Sequence, residues 1–215
     1  MSAATASEVA VQVAVAPRTI GVPPPAPARR AGYGRGFWGV AVLIATEGML
    51  FLALVATYFF LRATSRVWPP PGIELPKLDA RAWIFTALLL GSSIPVLFAE
   101  SAVRKGRTRA VAGWLALSAL MGAAFLVNTV IDFRALTFGW GTNAYGSIYY
   151  VIVGLHASHV AIGLLISLVV QLKVWRGLVD AEHHTSVEVF SLYWHFVDVV
   201  WIVVFSTVFI SPHLR

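Results

Sequence analysis

Five ionisable side chains lie inside long apolar stretches of this sequence. They are Glu47, His156, His159, His195 and Asp198. A charged group near the centre of a bilayer is costly unless it is paired, neutralised or in contact with water. Carboxylates and imidazoles at such positions can exchange protons, bind polar groups of lipids or ligate a metal ion. These residues are therefore the first candidates for a functional site.

The depth of these residues in the membrane can be estimated from the rise of an α-helix. At 1.5 Å per residue, Glu47 lies about 15 Å from the start of the first span, and His159 lies about 16 Å from the start of the fourth. His195 and Asp198 lie at about 12 and 16 Å, so all four are near the middle of a hydrocarbon core about 30 Å thick. His156 and His159 share a helix face, as do His195 and Asp198. The pattern predicts a buried network of Glu47, His159, His195 and Asp198.

Three roles remain open for this cluster. It could be a set of hydrogen bonds that holds the helices together. It could handle protons or bind a lipid headgroup. It could also ligate a metal ion or haem, because His156 and His159 present two imidazoles on one helix face. The sequence contains no cysteine, which excludes disulfides and thiolate metal sites.

A second group of titratable residues, His183, His184 and Glu188, lies at the end of the last loop between spans. Asp180 and Glu182 precede it. A solvated loop, a surface metal site and a proton-collecting patch are all compatible with this composition.

The elements that must position these residues are transmembrane helices. Hydrophobic residues make up 58% of the chain and charged residues 12%, whereas a soluble domain is about half apolar and a quarter charged. A span needs about 20 apolar residues, so a chain of 215 residues has room for five or six. The predicted fold is an all-α, polytopic bundle of five transmembrane helices. Its spans cover residues 37–61, 82–103, 110–131, 148–172 and 187–210.

Residues 1–35 are rich in Pro and Ala and are predicted to form a disordered cytoplasmic tail, followed by a membrane domain over residues 36–215. With the N-terminus inside, ten of the sixteen Lys and Arg residues fall on the inner side and six on the outer side. Inner loops collect basic residues, so the count favours a cytoplasmic N-terminus and a C-terminus outside. The net charge of +6 then reflects membrane orientation, and no nucleic acid partner is expected.

Three segments, in order, resemble subunit III of the haem–copper terminal oxidases, the cytochrome c oxidase subunit 3 family. Residues 193–202 read YWHFVDVVWI and are close to a signature of that family. Residues 154–160 read GLHASHV and follow YGS at 145–147, and residues 46–51 read TEGMLF, like the family's buried-glutamate segment. The resemblance extends from about residue 37 to 212. Five predicted spans resemble the shorter bacterial form of the subunit, and the lipid-filled cleft of seven-helix members does not carry over intact.

The resemblance implies a non-redox subunit of a respiratory complex that reduces O2 to water and pumps protons. Such a subunit binds catalytic subunit I and contacts the other oxidase subunits. It holds phospholipid and supports proton uptake and lasting activity. Haems and copper are expected on partner subunits, with no cofactor, catalytic residue or metal ligand on this chain. Glu47, His156, His159, His195 and Asp198 would be its buried polar residues, and the group from His183 to Glu188 would collect protons at the inner face. The expected location is a bacterial cell membrane.

Other functions remain as alternatives. The complex could oxidise quinol instead of cytochrome c, or the chain could be a related accessory protein of a nitric oxide reductase. A free-standing haem-binding membrane enzyme could use His156, His159 or His195. A proton-coupled transporter would be expected to have helices broken near the midplane. Only Pro95, which lies nearer the inner end of its predicted span, suggests such a break.

Overall fold

The computed structural model describes residues 35–214, and the regular structure in this part of the chain is helical, without strands. The α-helices are α1 (Arg35–Thr64), α2 (Ala80–Gly91), α3 (Ser93–Arg104), α4 (Thr108–Ala135), α5 (Ala144–Trp175) and α6 (Thr185–Phe205). After α6 the chain continues as a π-helical turn, Ser206–Ile210, and a short 3₁₀ turn, Ser211–His213. The predicted tail lies outside the described residues, apart from Arg35, which begins α1.

Five stretches of the described chain are long and apolar enough to cross a membrane, which confirms the predicted fold class. They are Gly36–Thr64, Ala80–Arg104, Thr108–Ala135, Ala144–Trp175 and Thr185–His213. Each predicted span lies within an observed one, and the observed ones are longer. The difference arises because polar residues extend the helices beyond the apolar lengths. For example, Asp79 caps α2 by accepting from the backbone N–H of Ala82, and Asn143 caps α5 by accepting from that of Gly146.

The sequence predicts one span over residues 82–103. In the structure the corresponding helix is interrupted at Ser92, between α2 and α3. Pro95 lacks a backbone N–H, so the carbonyl of Gly91 has no helical donor four residues on. The hydroxyl of Ser92 donates to the carbonyl of Leu89 at 2.6 Å, which supports the helix end. The interruption lies near the middle of the span and places two serine hydroxyls, Ser92 and Ser93, within reach of α6.

The fully buried indole of Trp194 on α6 lies where the second span, α4 and α5 meet. Its Nε1 donates to the hydroxyl of Ser92 at 2.8 Å. Its ring packs on Gly122 of α4 and Gly163 of α5, where an added Cβ would lie only 2.8 Å and 2.7 Å from ring carbons. Small residues at these two positions therefore allow the helices to approach closely around the indole.

Helix α1 lies at the edge of the bundle and packs against α5 and α6. Only 6% of its most apolar stretch is buried, compared with 56% for the last span. Near its C-terminal end, Arg62 donates to the carbonyls of Ser211 and Leu214 at 2.9 and 2.7 Å. Because α1 buries little surface inside this chain, its few polar contacts carry much of its attachment.

The close packing on Trp194 predicts opposite effects of two glycine substitutions. Gly163→Ala forces a Cβ into the indole, and overpacking costs about 1–3 kcal/mol. Gly113→Ala on α4 meets nothing within 4 Å and gains about 1 kcal/mol of helix propensity. Thermal unfolding of the purified protein should show a lower midpoint for the first variant and an equal or higher one for the second. Equal midpoints for Gly163→Ala and the parent would contradict this packing.

Candidate functional site

A carboxylate–imidazole pair joins α1 to α5 near the middle of the membrane. His159 Nε2 lies 3.2 Å from Glu47 Oε2, and His159 Nδ1 lies 2.8 Å from the backbone carbonyl of Leu155. A carbonyl oxygen can only accept, so Nδ1 carries a hydrogen and donates it. The contact between Nε2 and Oε2 then holds one proton, on the imidazole as an ion pair or on the carboxyl as a neutral pair. The pair can therefore bind helices together and also hold a proton.

His195 on α6 does not join this pair through any hydrogen bond in the described structure. Its Nδ1 lies 2.6 Å from the carbonyl of Ser191, one turn earlier on the same helix. As for His159, the carbonyl acceptor requires a hydrogen on Nδ1, which leaves Nε2 as the acceptor of a neutral ring. The side chain is half-buried.

Asp198 faces the second span instead of Glu47. Its Oδ2 accepts a short hydrogen bond from the hydroxyl of Ser93, and its Oδ1 is buried without a partner. The predicted single network is thus divided in the structure. The physical reason is that residues three apart on an α-helix point about 60° away from each other. On the central helix α6, that angle is enough to direct His195 and Asp198 toward different surroundings.

His156 is fully buried, and neither of its ring nitrogens has a hydrogen-bond partner among the described residues. Its ring lies 4.7 Å from the ring of Trp201 and 6.0 Å, edge-on, from that of Phe125. His156 and His159 therefore do not converge, although they share a face of α5. In the part of the chain that the structure describes, no group of three His, Asp or Glu side chains could hold a metal ion.

Sequence reasoning missed a row of polar contacts between α6 and the second span. Besides Trp194 and Asp198, Ser191 donates to Glu100 Oε2 at 3.1 Å and Trp201 Nε1 donates to the hydroxyl of Thr86 at 3.2 Å. The α6 members of the row are spaced by three or four residues, which places them on one helix face. That spacing was visible in the sequence, but it did not identify the partners on the second span.

The inner-face candidates form two separate contacts between an imidazole and a carboxylate. His184 Nε2 lies 3.2 Å from Glu188 Oε1, which is also 3.3 Å from Arg104. His183 Nδ1 lies 3.1 Å from Asp180 Oδ1. The structure thus pairs His184 with Glu188, whereas His183 belongs to the preceding loop.

Backbone N–H groups organise that loop around Asp180. The N–H groups of His183 and Glu182 donate to Asp180 Oδ1 at 2.6 and 2.8 Å, and these donors lower the pKa of the carboxyl. A lowered pKa means that Asp180 contributes to loop order above its ordinary pKa of about 3.9. That contribution is lost as the pH falls through the lowered value.

The fold and the site define a five-span α-helical membrane protein whose ionisable side chains connect its helices. Residues 31–212 match the family model for cytochrome c oxidase subunit III. The chain therefore belongs to the subunit III family of the haem–copper oxidases, a multi-pass membrane component of a complex with other oxidase subunits. This confirms the resemblance found in the sequence.

Curated relatives include subunits of oxidases with different names. Cytochrome c oxidase subunit 3 of Thermostichus vulcanus is 36% identical over 176 residues, which cover 80% of this chain and 85% of the relative. Cytochrome bo(3) ubiquinol oxidase subunit 3 of Pseudomonas aeruginosa is 34% identical over 182 residues, with coverage of 83% and 85%. Quinol oxidase subunit 3 of Bacillus spizizenii is 36% identical over 184 residues, with coverage of 81% and 85%.

A double-mutant cycle tests the contact between Glu47 and His159. We expect Glu47→Leu and His159→Phe each to lower thermal stability and the double variant to lose less than their sum. Hydrogen bonds between membrane helices couple by about 0.6 kcal/mol on average and by up to about 1.7 kcal/mol. Thr46→Val is the matched control, because within residues 35–214 the Thr46 hydroxyl bonds only to the carbonyl of Leu43 in its own helix. Strict additivity would show that the pair does not couple α1 to α5.

Proposed function

We propose that this chain is the subunit III of a bacterial cytochrome c oxidase and carries no redox centre of its own. It binds catalytic subunit I directly, holds phospholipid, and supports proton uptake and lasting activity of the complex. The observation that carries this proposal is the contact of 3.2 Å between Glu47 and His159. It attaches the most exposed helix to the bundle at mid-membrane and can hold one proton there.

The exposed surface of α1 supports a role in binding lipid or a neighbouring subunit. Met49, Leu52 and Phe60 are 72%, 64% and 67% exposed in this chain. Large apolar side chains at this density, on a helix with little internal packing, need apolar neighbours outside the chain. The Glu47–His159 pair holds that surface in place, so its loss should loosen the surroundings of subunit I without removing any redox group.

The inner-face groups support a role in proton uptake. His183 is largely exposed and lies against Asp180, whose lowered pKa keeps it ionised near neutral pH. The loop thus places an exposed imidazole beside a fixed negative charge. The distribution of Lys and Arg supports the matching orientation, with the N-terminus and this loop on the cytoplasmic side.

The environments of His156 and His159 support placing haem and copper on partner subunits. Both ring nitrogens of His159 are engaged, and those of His156 are buried beside the rings of Phe125 and Trp201. An axial ligand must present a free nitrogen to an open position, and neither ring is arranged in that way.

The names of the relatives are compatible with two electron donors, cytochrome c and quinol, and an experiment must distinguish them. Relatives of nearly equal identity are named cytochrome c oxidase and quinol oxidase subunits, so quinol oxidase is the second candidate. A tagged chain should copurify with haem-containing subunits, and the preparation should oxidise reduced cytochrome c. Oxidation of quinol alone would assign the second candidate. Purification without those subunits, or a Soret band on the isolated chain, would contradict the proposal.

Substitution of the mid-membrane residues in the intact complex tests the supporting role. Glu47→Leu and His195→Leu should leave the haem spectrum unchanged and shorten the half-life of activity during turnover. For Glu47→Leu we expect the half-life to shorten by about 3- to 20-fold. This range corresponds to the loss of a contact worth about 0.6 to 1.7 kcal/mol. The effect of His195→Leu should be smaller, because its hydrogen bond is internal to α6. Loss of haem from the complex on either change would refute this role.

Removal of the inner-face imidazoles tests proton collection. The double variant His183→Gln/His184→Gln should slow turnover more at alkaline than at neutral pH, because proton delivery becomes limiting as protons become scarce. A high concentration of mobile buffer should restore the rate. His213→Gln is the matched control, since His213 lies in the last turn of the fifth span, at the opposite end of the bundle. Identical pH profiles for the double variant and the control would exclude the role.

A further inference from the structure

A cavity of about 260 Å³ opens at the end of the bundle opposite the His183 loop, which the proposed orientation places outside. Its wall contains three carboxylates and two cationic side chains: Glu74, Asp79, Asp132, Lys77 and Arg81. A narrower extension of about 30 Å³ continues into the bundle and ends near Phe125 and Trp201. The two spaces share Asp132 and three other lining residues, so they adjoin each other, and together they are called the funnel.

Three of the five charged groups already have partners. Arg81 Nε donates to Asn128 Oδ1 at 2.7 Å, and Arg81 Nη2 lies 3.4 Å from Asp132 Oδ1. Asn128 Nδ2 donates to Asp132 Oδ2 at 2.8 Å. Asp79 accepts from the backbone N–H of Ala82 at 3.0 Å as the cap of α2. These contacts hold the wall of the cavity in place.

The two remaining groups, Glu74 and Lys77, have no hydrogen bond or ion pair with any part of the chain that the structure describes. They offer one negative and one positive charge on the same wall. Asp132, whose side chain is 41% exposed, adds a second carboxylate that is still accessible to a ligand. The cavity therefore presents separated charges of both signs.

We propose that this cavity binds a zwitterion with a primary ammonium group and a phosphate ester, the chemistry of a phosphoethanolamine headgroup. The ammonium donates to Glu74 and Asp132, and the phosphate accepts from Lys77. A purely anionic ligand would face three carboxylates, and a simple cation would face two fixed positive charges. A trimethylated ammonium has no N–H to donate, so choline esters fit less well.

The size of the funnel limits the ligand to a headgroup. Pockets for drug-sized molecules measure about 300–1,000 Å³, so 260 Å³ suits a smaller polar molecule. The narrow extension has room for about two water molecules, and Thr86 and Thr129 can bind them. An acyl chain cannot enter it and would have to remain in the membrane beside the bundle.

The position of the cavity is also suitable for a lipid headgroup. It lies at the outer ends of α2 and α4, where these helices reach the membrane surface. Trp83 and Trp140, near the same surface, are 49% and 78% exposed, as interfacial tryptophans are. The inference deepens the phospholipid-binding part of the proposed function and rests on it for the assembly in which the site occurs.

Lipid retention by the whole oxidase complex tests the site. The complex is reconstituted in nanodiscs of phosphatidylglycerol with minor amounts of phosphatidylethanolamine and phosphatidylcholine, then returned to detergent and analysed by native mass spectrometry. We expect the parent to retain phosphatidylethanolamine in preference to the other two lipids. The double variant Glu74→Gln/Lys77→Gln should lose this retention by about tenfold or more.

The matched control is Arg66→Gln/Glu182→Gln, which removes one charge of each sign from exposed positions that do not line the cavity. It should retain phosphatidylethanolamine as the parent does. Copurification of all subunits with each variant confirms that the variant has folded. Two results would overturn binding of the lipid: equal retention of phosphatidylethanolamine by the parent and the cavity variant, or equal retention of phosphatidylglycerol and phosphatidylethanolamine by the parent. The site itself would then depend on binding of soluble phosphoethanolamine, which the next measurement tests.

A second measurement distinguishes a lipid from a soluble source of the same chemistry. Phosphoethanolamine is added to complexes in nanodiscs that contain phosphatidylglycerol alone. Binding to the parent and not to the cavity variant, without lipid retention, identifies a soluble ligand and supports the site. Absence of both forms of binding rejects the site and leaves the proposed function intact. That function fails on a different observation, purification of the chain without haem-containing subunits.

Discussion

The burial of one indole ring, that of Trp194, is the constraint on which the arrangement of the other helices depends. The ring occupies space that any side chain on Gly122 or Gly163 would fill, so α4 and α5 can close around α6 only at these positions. Its N–H must find an acceptor, and Ser92 supplies one at the interruption of the second span. The contact thereby sets the rotation of α6 relative to three other spans.

Once the rotation of α6 is set, the positions of its other polar residues follow. Asp198 lies one turn beyond Trp194 and reaches Ser93, and Trp201 lies a further turn on and reaches Thr86. These contacts satisfy polar groups that would be costly in a membrane interior. They also explain why Asp198 has a partner, Ser93, on the second span and does not join Glu47.

Helix α1 differs from the rest because it lies outside this closely packed group. Its attachment depends on the pair of Glu47 and His159 near the middle of the helix, and on Arg62 near its C-terminal end. The proposed role, stabilising a neighbouring catalytic chain, needs a rigid bundle and an apolar surface presented to that chain or to lipid. The chain provides both, because its last four spans form a packed core and its first span, α1, is lightly attached to that core.

The sequence alone determined the all-α class, the five spans, the position of the ionisable residues within those spans and the family. These properties depend on hydrophobic length, composition and short local motifs, which do not require knowledge of helix rotation. Tertiary structure alone decided that Glu47 pairs with His159, that Asp198 pairs with Ser93, and that charges from a loop and from two helices meet around a cavity. Partner choice depends on rotations of about 60° and on close contacts between distant segments, and neither is encoded in the spacing of residues along one helix.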